Sequence, residues 1–167
     1  MELKPSIKDF IEHYIHLIEN NQFTELYAEA EKYLPTSDIH LLTECLIHPN
    51  VGLQVLSNME AIPPYYLATN TEITAVEIPN SIKLIRKRAF DKCLNLQEII
   101  LPESLDVVDG YAFAVCPSLK KLVVKNPDTS FSIFSTVGSD NVEIYCKPGS
   151  KVEQYANEVW HYPVHHI

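Results

Sequence analysis

At 167 residues, with 46% apolar and 21% charged side chains, the chain has a globular balance, long enough for one ordinary domain or for a small helical domain joined to a short repeat array. Its four glycines argue against flexible or low-complexity regions, and no apolar run approaches the roughly 20 residues that cross a bilayer. The formal charge of −9 lies wholly in the first half: residues 1–78 carry 3 basic and 12 acidic side chains, residues 79–167 carry 10 of each, which disfavours nucleic acid as a partner of the leading half because phosphate contacts need Lys and Arg.

The first stretch, MELKPSIKDFIEHYIHLIENN, interrupts its apolar positions with charges at every turn and does not read as a signal peptide, so the cytoplasm is the expected location. Within it Ile7, Phe10, Ile11, Tyr14, Ile15 and Ile18 form the stripe of an amphipathic helix over 6–20. A second helix is predicted over Thr24 to Leu34, with Phe23, Leu26, Tyr27, Ala30, Tyr33 and Leu34 on one side and Pro35 at its end. A third runs from Ile39 to about Ile47, capped by Ser37 or Asp38, with Leu41, Leu42, Cys45 and Leu46 inward and Pro49 closing it. Three such helices predict an acidic bundle over 1–55, marginal alone and packed on the rest of the chain.

From about residue 56 a 23-residue period takes over. IPNSIKLIRKRAFDKCLNLQEII is followed directly by LPESLDVVDGYAFAVCPSLKKLV. Pro79 matches Pro102, Ser81 matches Ser104, Ile85 matches Val108, and Ala89, Phe90 and Cys93 match Ala112, Phe113 and Cys116. Leu96 and Ile99 likewise match Leu119 and Leu122. One period earlier, Ile62, Leu67, Ile73, Val76 and Ile78 form a weaker unit. One period later Pro148 returns, but Ser135, Thr136 and Ser139 replace the Ala, Phe and Cys.

This pattern, I-P-x-S-I-x-x-I-x-x-x-A-F-x-x-C-x-x-L-x-x-I-x-L-P over residues 60–150, resembles the BspA-like leucine-rich repeat, and the tail VEIYCKPGSKVEQYANEVW is similar to the closing strand, turn and short helix of such arrays. The resemblance implies an α/β repeat fold: a short leucine-rich-repeat solenoid with a parallel β-sheet, capped by an N-terminal helical bundle (1–55) and by a C-terminal strand-helix segment (148–167) around repeats at 56–147. Expected strands are ITAVEI, LQEIIL, LKKLVV and VEIYC, with Leu96, Ile99 and Leu101 inward, Phe90 stacked on Phe113, and Ala89 and Ala112 small where the next coil passes.

Cys45, Cys93, Cys116 and Cys146 contain no CxxC pair and no metal-finger spacing. Cys93 and Cys116 stand one repeat apart, so a disulfide is geometrically conceivable, but the repeat motif implies a small apolar filler there and a reducing compartment leaves the thiols free. His13 with His16, and His161 with His165 and His166, invite a metal site; solvent exposure accounts for them, and no metal or other cofactor is expected. No nucleophile with a base, carboxylate pair, phosphate loop or Ser-x-x-Lys motif is recognisable, so an enzyme is not expected.

The exposed strand positions carry the functional expectation. By alternation Thr74, Gln97, Lys120 and Glu143 form one outward row and Glu77, Ile100 and Val123 another, with Tyr145 or Cys146 ambiguous. Ile100 and Val123 would centre a protein-binding face unless the helices cover it. A basic run, Lys83, Arg86, Lys87, Arg88 and Lys92, with Lys120, Lys121 and Lys125 one coil on, could face an anion, although an ordinary solvated face explains it as well. The reading is a non-enzymatic protein-binding module whose short array and helical lead-in resemble phage or mobile-element effectors that bind and inhibit a host protein in the host cytoplasm. Two rivals are an acidic nucleic-acid mimic using Glu19, Glu25, Glu29 and Glu31, and a small-ligand binder with a pocket between bundle and solenoid.

Overall fold

The computed structural model describes residues 9–10, 13–14, 16–17, 22–35, 39 and 60–167. Among the described residues, helix α1 (Phe23–Tyr33) precedes nine short strands: β1 (Ala61–Ile62), β2 (Ala75–Glu77), β3 (Leu84–Ile85), β4 (Glu98–Leu101), β5 (Val107–Val108), β6 (Lys121–Val124), β7 (Ser130–Phe131), β8 (Glu143–Cys146) and β9 (Val164–His166). A one-turn helix, α2 (Lys151–Tyr155), and a π-helical turn (Ala156–Trp160) separate β8 from β9.

Every strand pairing among the described residues is parallel; β1 to β8 divide by parity into two sheets, β1-β3-β5-β7 and β2-β4-β6-β8, and β9 extends the second beside β8. Each coil therefore gives one strand to each sheet before turning through a third side to the next. That is the geometry of a solenoid, in which a unit buries its apolar side only against its neighbours. The 23-residue period is the pairing register: Val76 lies beside Ile99 and Ile99 beside Leu122, while Ile62, Ile85, Val108 and Phe131 form one column of the smaller sheet. Leu96, Ile99, Leu101, Leu119, Leu122 and Val124 are fully buried, as alternation requires. The smaller sheet goes beyond the sequence expectation, because two-residue strands carry no periodicity to read.

The third side is held by main-chain bonds between coils. Leu67, Phe90 and Phe113 donate N–H to the carbonyls of Ala89, Ala112 and Ser135 at 2.7, 2.8 and 2.7 Å. The turns use left-handed backbone in two columns, Tyr65, Arg88 and Tyr111 in one and Thr69, Lys92, Val115 and Gly138 in the other. Gly138 (φ 74°) fits the second column twice over, since its missing Cβ would lie 3.4 Å from the Val115 Cγ2. Inside, Phe90 and Phe113 stack at 5.5 Å, the ladder expected from their spacing.

Where the fourth coil loses the pattern, hydroxyls take over its tasks. The Cys93 thiol donates to the Leu67 carbonyl (3.1 Å) and Cys116 to Phe90 (3.2 Å); Ser139, one coil on, donates to Phe113 (2.8 Å) across the same 26-residue separation. Thr136 occupies the place of the next Phe, and Tyr162 fills the gap, its hydroxyl donating to the Ser139 carbonyl at 2.8 Å and reaching the Thr136 hydroxyl at 3.3 Å. Trp160 meets Phe131 edge-on at 5.5 Å, and Val152 and Ala156 are fully buried, so the segment after β8 closes the core from that end.

Helix α1 spans the stretch predicted to within one residue at each end. Leu26, Tyr27 and Ala30 are buried, but Tyr33, expected inward, is 66% exposed because the stripe continues through half-buried Leu34 instead. The described residues of the first predicted helix place Phe10 in the core, 4.6 Å from Tyr14. Its other stripe residues, and all of the third helix except buried Ile39, lie outside the described residues; a three-helix bundle is not shown.

Candidate protein-binding surface

Register decides which side chains share the outer face of the larger sheet. One row runs Ala75, Glu98, Lys121, Glu143 and the next runs Glu77, Ile100, Val123, Tyr145, His165. Lys121 pairs with Glu143 and Val123 with Tyr145, a spacing of 22 rather than 23, so the last coil is one residue short at the start of its strand. That shortening corrects two expectations. Glu143 joins Lys121, not Lys120, and the ambiguous outward position is Tyr145, since Cys146 is fully buried. Thr74, Gln97 and Lys120 are exposed and do form a column, just before the strands, joined by N–H donation from Gln97 to Thr74 (2.7 Å) and from Lys120 to Gln97 (2.9 Å).

The face is ionically matched. Lys121 bonds Glu98 at 2.8 Å and lies 5.3 Å from the Tyr145 ring centroid. Tyr145 stacks on His165 at 4.6 Å and donates to Glu143 at 3.1 Å, and His165 meets Glu143 at 2.9 Å. Lys125 reaches Glu77 at 3.1 Å. The Glu98 carboxylate raises the Lys121 pKa, and desolvation, followed by the bond to Glu143, raises that of Tyr145. Between these pairs runs a narrow apolar seam in which Ile100 is half-buried and Val123 only 9% exposed, so Val123 is less available than expected.

Helix α1 lies over the other sheet. Tyr27, Ala28 and Glu31 line a cleft of about 130 Å³ with Ala61, Pro63, Pro64, Leu84 and Arg86. Ile100 and Val123 are therefore not under α1.

The basic residues do not form one band. Lys121 belongs to the larger sheet, whereas Arg86 to Arg88 leave β3 on the opposite strand set. Arg86 makes a bidentate bond to Glu31 and lies 3.9 Å from Asp109. Arg88 bonds Asp91 at 2.6 Å and lies 4.9 Å from the Tyr111 ring centroid, and Tyr111 in turn stacks on Phe134 at 5.9 Å. Lys87 is exposed. Both arginines of this run are thus already neutralised within the protein.

The histidines are divided similarly, with His166 bonding Glu153 at 2.7 Å. Among the described residues no group of three or more His, Cys, Asp or Glu is placed to hold a metal, and no helix is long and apolar enough to cross a membrane. Residues that sequence reasoning missed are His165, which continues the outward row, and Phe134, which stands one 23-residue period after Tyr111 and two after Arg88, a spacing that was available as a signal.

Parallel coils of near-constant length, each with an inward apolar strand and the two central ones with a small-Phe-x-x-Cys return, define a leucine-rich-repeat solenoid. A family model for the BspA type leucine rich repeat region, in six copies, matches residues 51–155, and the chain belongs to that family. No match was found among curated proteins or among solved structures. Leucine-rich repeats generally mediate protein–protein interaction, and solenoids of this kind are typically non-enzymatic scaffolds.

Proposed function

We propose that this protein is a non-enzymatic protein-binding module that engages a folded partner through the outer face of its larger sheet. The observation that carries the reading is the in-register row Glu77, Ile100, Val123, Tyr145, His165, bordered by Thr74, Gln97 and Lys120 on one side and Glu98, Lys121 and Glu143 within the sheet. Rigid coils fix these side chains in advance, which lowers the entropy cost of association, and a flat seam of Ile and Tyr among matched charges suits a protein surface better than a small molecule. On the same reading residues 1–55 are a helical lead-in, 56–147 the repeats and 148–167 the cap. Its narrower form, an effector of a phage or mobile element that inhibits a host protein in the cytoplasm, rests on the short array and acidic lead-in.

Charge mimicry of nucleic acid is weakened by geometry: Glu29 bonds Lys32 at 2.7 Å and Glu31 is clamped by Arg86, so two of its four carboxylates are not free. A small-ligand site at the junction of α1 and the solenoid has less support: the cleft beneath α1 is about 130 Å³, and the wider recess beside it, about 330 Å³ between Leu34, Ile39, Pro64 and Arg86, reaches the roughly 300 Å³ at which ligand pockets begin but has its Glu31 and Arg86 already paired with each other.

The experiment is affinity capture from lysate of the source cell, with wild type beside an Ile100→Asp, Tyr145→Asp double variant shown to be folded by circular dichroism. A partner retained by wild type at high salt and lost by the variant is the expected result. A partner kept by the variant, or released from wild type by salt alone, would contradict the sheet face.

A further inference from the structure

The third side of the solenoid sorts its exposed residues by coil. In the second coil it carries Lys87 and Lys92, both exposed, and neither makes an ion pair or a side-chain hydrogen bond among the described residues. The same stretch one and two periods on, Gly110 to Val115 and Ile133 to Gly138, contains no charged residue. There Val115, Ile133, Phe134 and Val137 are between 42% and 51% exposed, four of the nine exposed large apolar side chains among the described residues, so the exposed apolar surface is concentrated on one side of two coils. The patch is continuous: Tyr111 stacks on Phe134 at 5.9 Å, and Val115 N–H donates to the Val137 carbonyl at 2.8 Å. Gly138 takes the place that Lys92 and Val115 hold in earlier coils and puts no side chain over Val115.

We infer that this side is a second docking surface, separate from the sheet face, and that its occupant is an acidic amphipathic helix of a partner protein, seated by apolar residues on Val115, Phe134 and Val137 and by carboxylates on Lys87 and Lys92. The main chain here has nothing to offer an added strand: the N–H groups of Arg88, Lys92, Tyr111 and Val115 are already donated to the next coil, at 3.3, 2.8, 3.1 and 2.8 Å. Recognition therefore falls to side chains, as it does when a helix lies on an apolar surface. Neighbouring coils are about 4.8 Å apart, so the lysines lie about 10 Å from the Phe134 coil, a span that about seven residues of helix cover. Apolar residues at i, i+3 and i+4 with carboxylates about two turns on fit that layout. Exposed Asp140, two residues after Gly138, opposes a carboxylate at the other end and so fixes the polarity of the helix. The two lysines have no internal carboxylate to satisfy them, whereas Arg88 is already held by Asp91. An anionic membrane is disfavoured, because two lysines at about 1 kcal/mol each give little hold on it.

The test is selection from a random library of peptides of about 15 residues, long enough for a helix, on the full chain, followed by fluorescence anisotropy with the enriched peptides. They should combine apolar residues at helical spacing with Asp or Glu at one end. Their affinity should fall at least tenfold for a Phe134→Ser, Val137→Ser double variant and again for a Lys87→Glu, Lys92→Glu double variant, while Ile100→Asp, Tyr145→Asp binds them as wild type does. Folding of each variant is checked by circular dichroism; should the apolar pair disturb it, the exposed lysine pair decides. A library that yields no peptide sensitive to the lysine reversals overturns the inference, as do enriched peptides without acidic residues. So does cosedimentation of wild type with phosphatidylserine vesicles that the lysine reversals abolish, or a wild-type dimer that Phe134→Ser, Val137→Ser disperses, since the side would then serve a membrane or a second copy.

Discussion

A thiol in the repeat can be a filler or a hydrogen-bond donor, and the coil-to-coil geometry distinguishes them. Cys93, Cys116 and Ser139 each donate to a main-chain carbonyl 26 residues earlier, and Ser139 also accepts from the Cys116 N–H at 2.9 Å. The reading of Cys as a small apolar filler is thus half of the truth: serine can replace it because the polar hydrogen matters. Ser139→Ala leaves one buried N–H and one buried C=O without partners, and we expect it to cost about 2–4 kcal/mol in urea unfolding, whereas Cys116→Ser, which keeps the donor, should cost about 1 kcal/mol or less. Equal losses would show that volume alone decides the column. Hydrogen bonding with Cys116 and burial hold the Cys93 thiol well above its ordinary range, and desolvation raises Cys146. All three side chains are fully buried, so Cys93, Cys116 and Cys146 should resist a thiol reagent in the native protein at pH 8 and react on unfolding, even though the bond from Cys93 lowers the Cys116 pKa; rapid native labelling at these positions would disprove their burial.

At the scale of the element, the cap shows how the array ends without leaving its core open. Ser150 caps α2 by accepting from Glu153 N–H, Glu153 accepts from Gly149 N–H at 2.6 Å, and the same carboxylate holds His166 of β9. The bond to His166, followed by that to Gly149, depresses the Glu153 pKa. A depressed carboxylate stabilises the fold above its ordinary pKa of about 4.3 and loses that contribution as pH falls through its lower folded value. The cap should accordingly loosen below about pH 4, read by emission of Trp160, the chain's only tryptophan, and Glu153→Gln should flatten that dependence. An unchanged profile in the variant would assign the transition to another group. The sequence announced α2 and the Pro-Gly-Ser turn, because both have local signals. It did not announce β9, whose pairing partner is set by a chain reversal over the coil end, nor the one-residue shortening that moves Glu143 beside Lys121, since alternation reads either register equally well. The paired columns were legible for the opposite reason: a strict period forces identical environments on Pro79 and Pro102 or Phe90 and Phe113.

For the whole molecule, stability in a stacked array is close to a sum of coil terms and neighbour interfaces, so removing one 23-residue coil should leave a folded, shorter protein. Two deletions separate what the stack needs from what α1 needs. Deleting 103–125 sets β4 against β8 and keeps Arg86, with its bond to Glu31, in place. Deleting 80–102 restores a Pro79–Glu103 junction equivalent to Pro102–Glu103, but brings Asp109, one period on from Arg86, opposite Glu31. Both variants lose one coil and two interfaces while gaining one, yet in the second a clamp on the helix becomes a like-charge contact. The Arg86 and Glu31 side chains are each about a third exposed, so screening limits the difference to about 1 kcal/mol. The expected result is that both refold cooperatively in urea, that the 80–102 deletion has the lower midpoint, and that only it opens α1 to cleavage at Lys32. Should both protect Lys32 equally, α1 is held by the apolar contacts of Leu26, Tyr27 and Ala30 alone, and the Arg86 clamp is incidental.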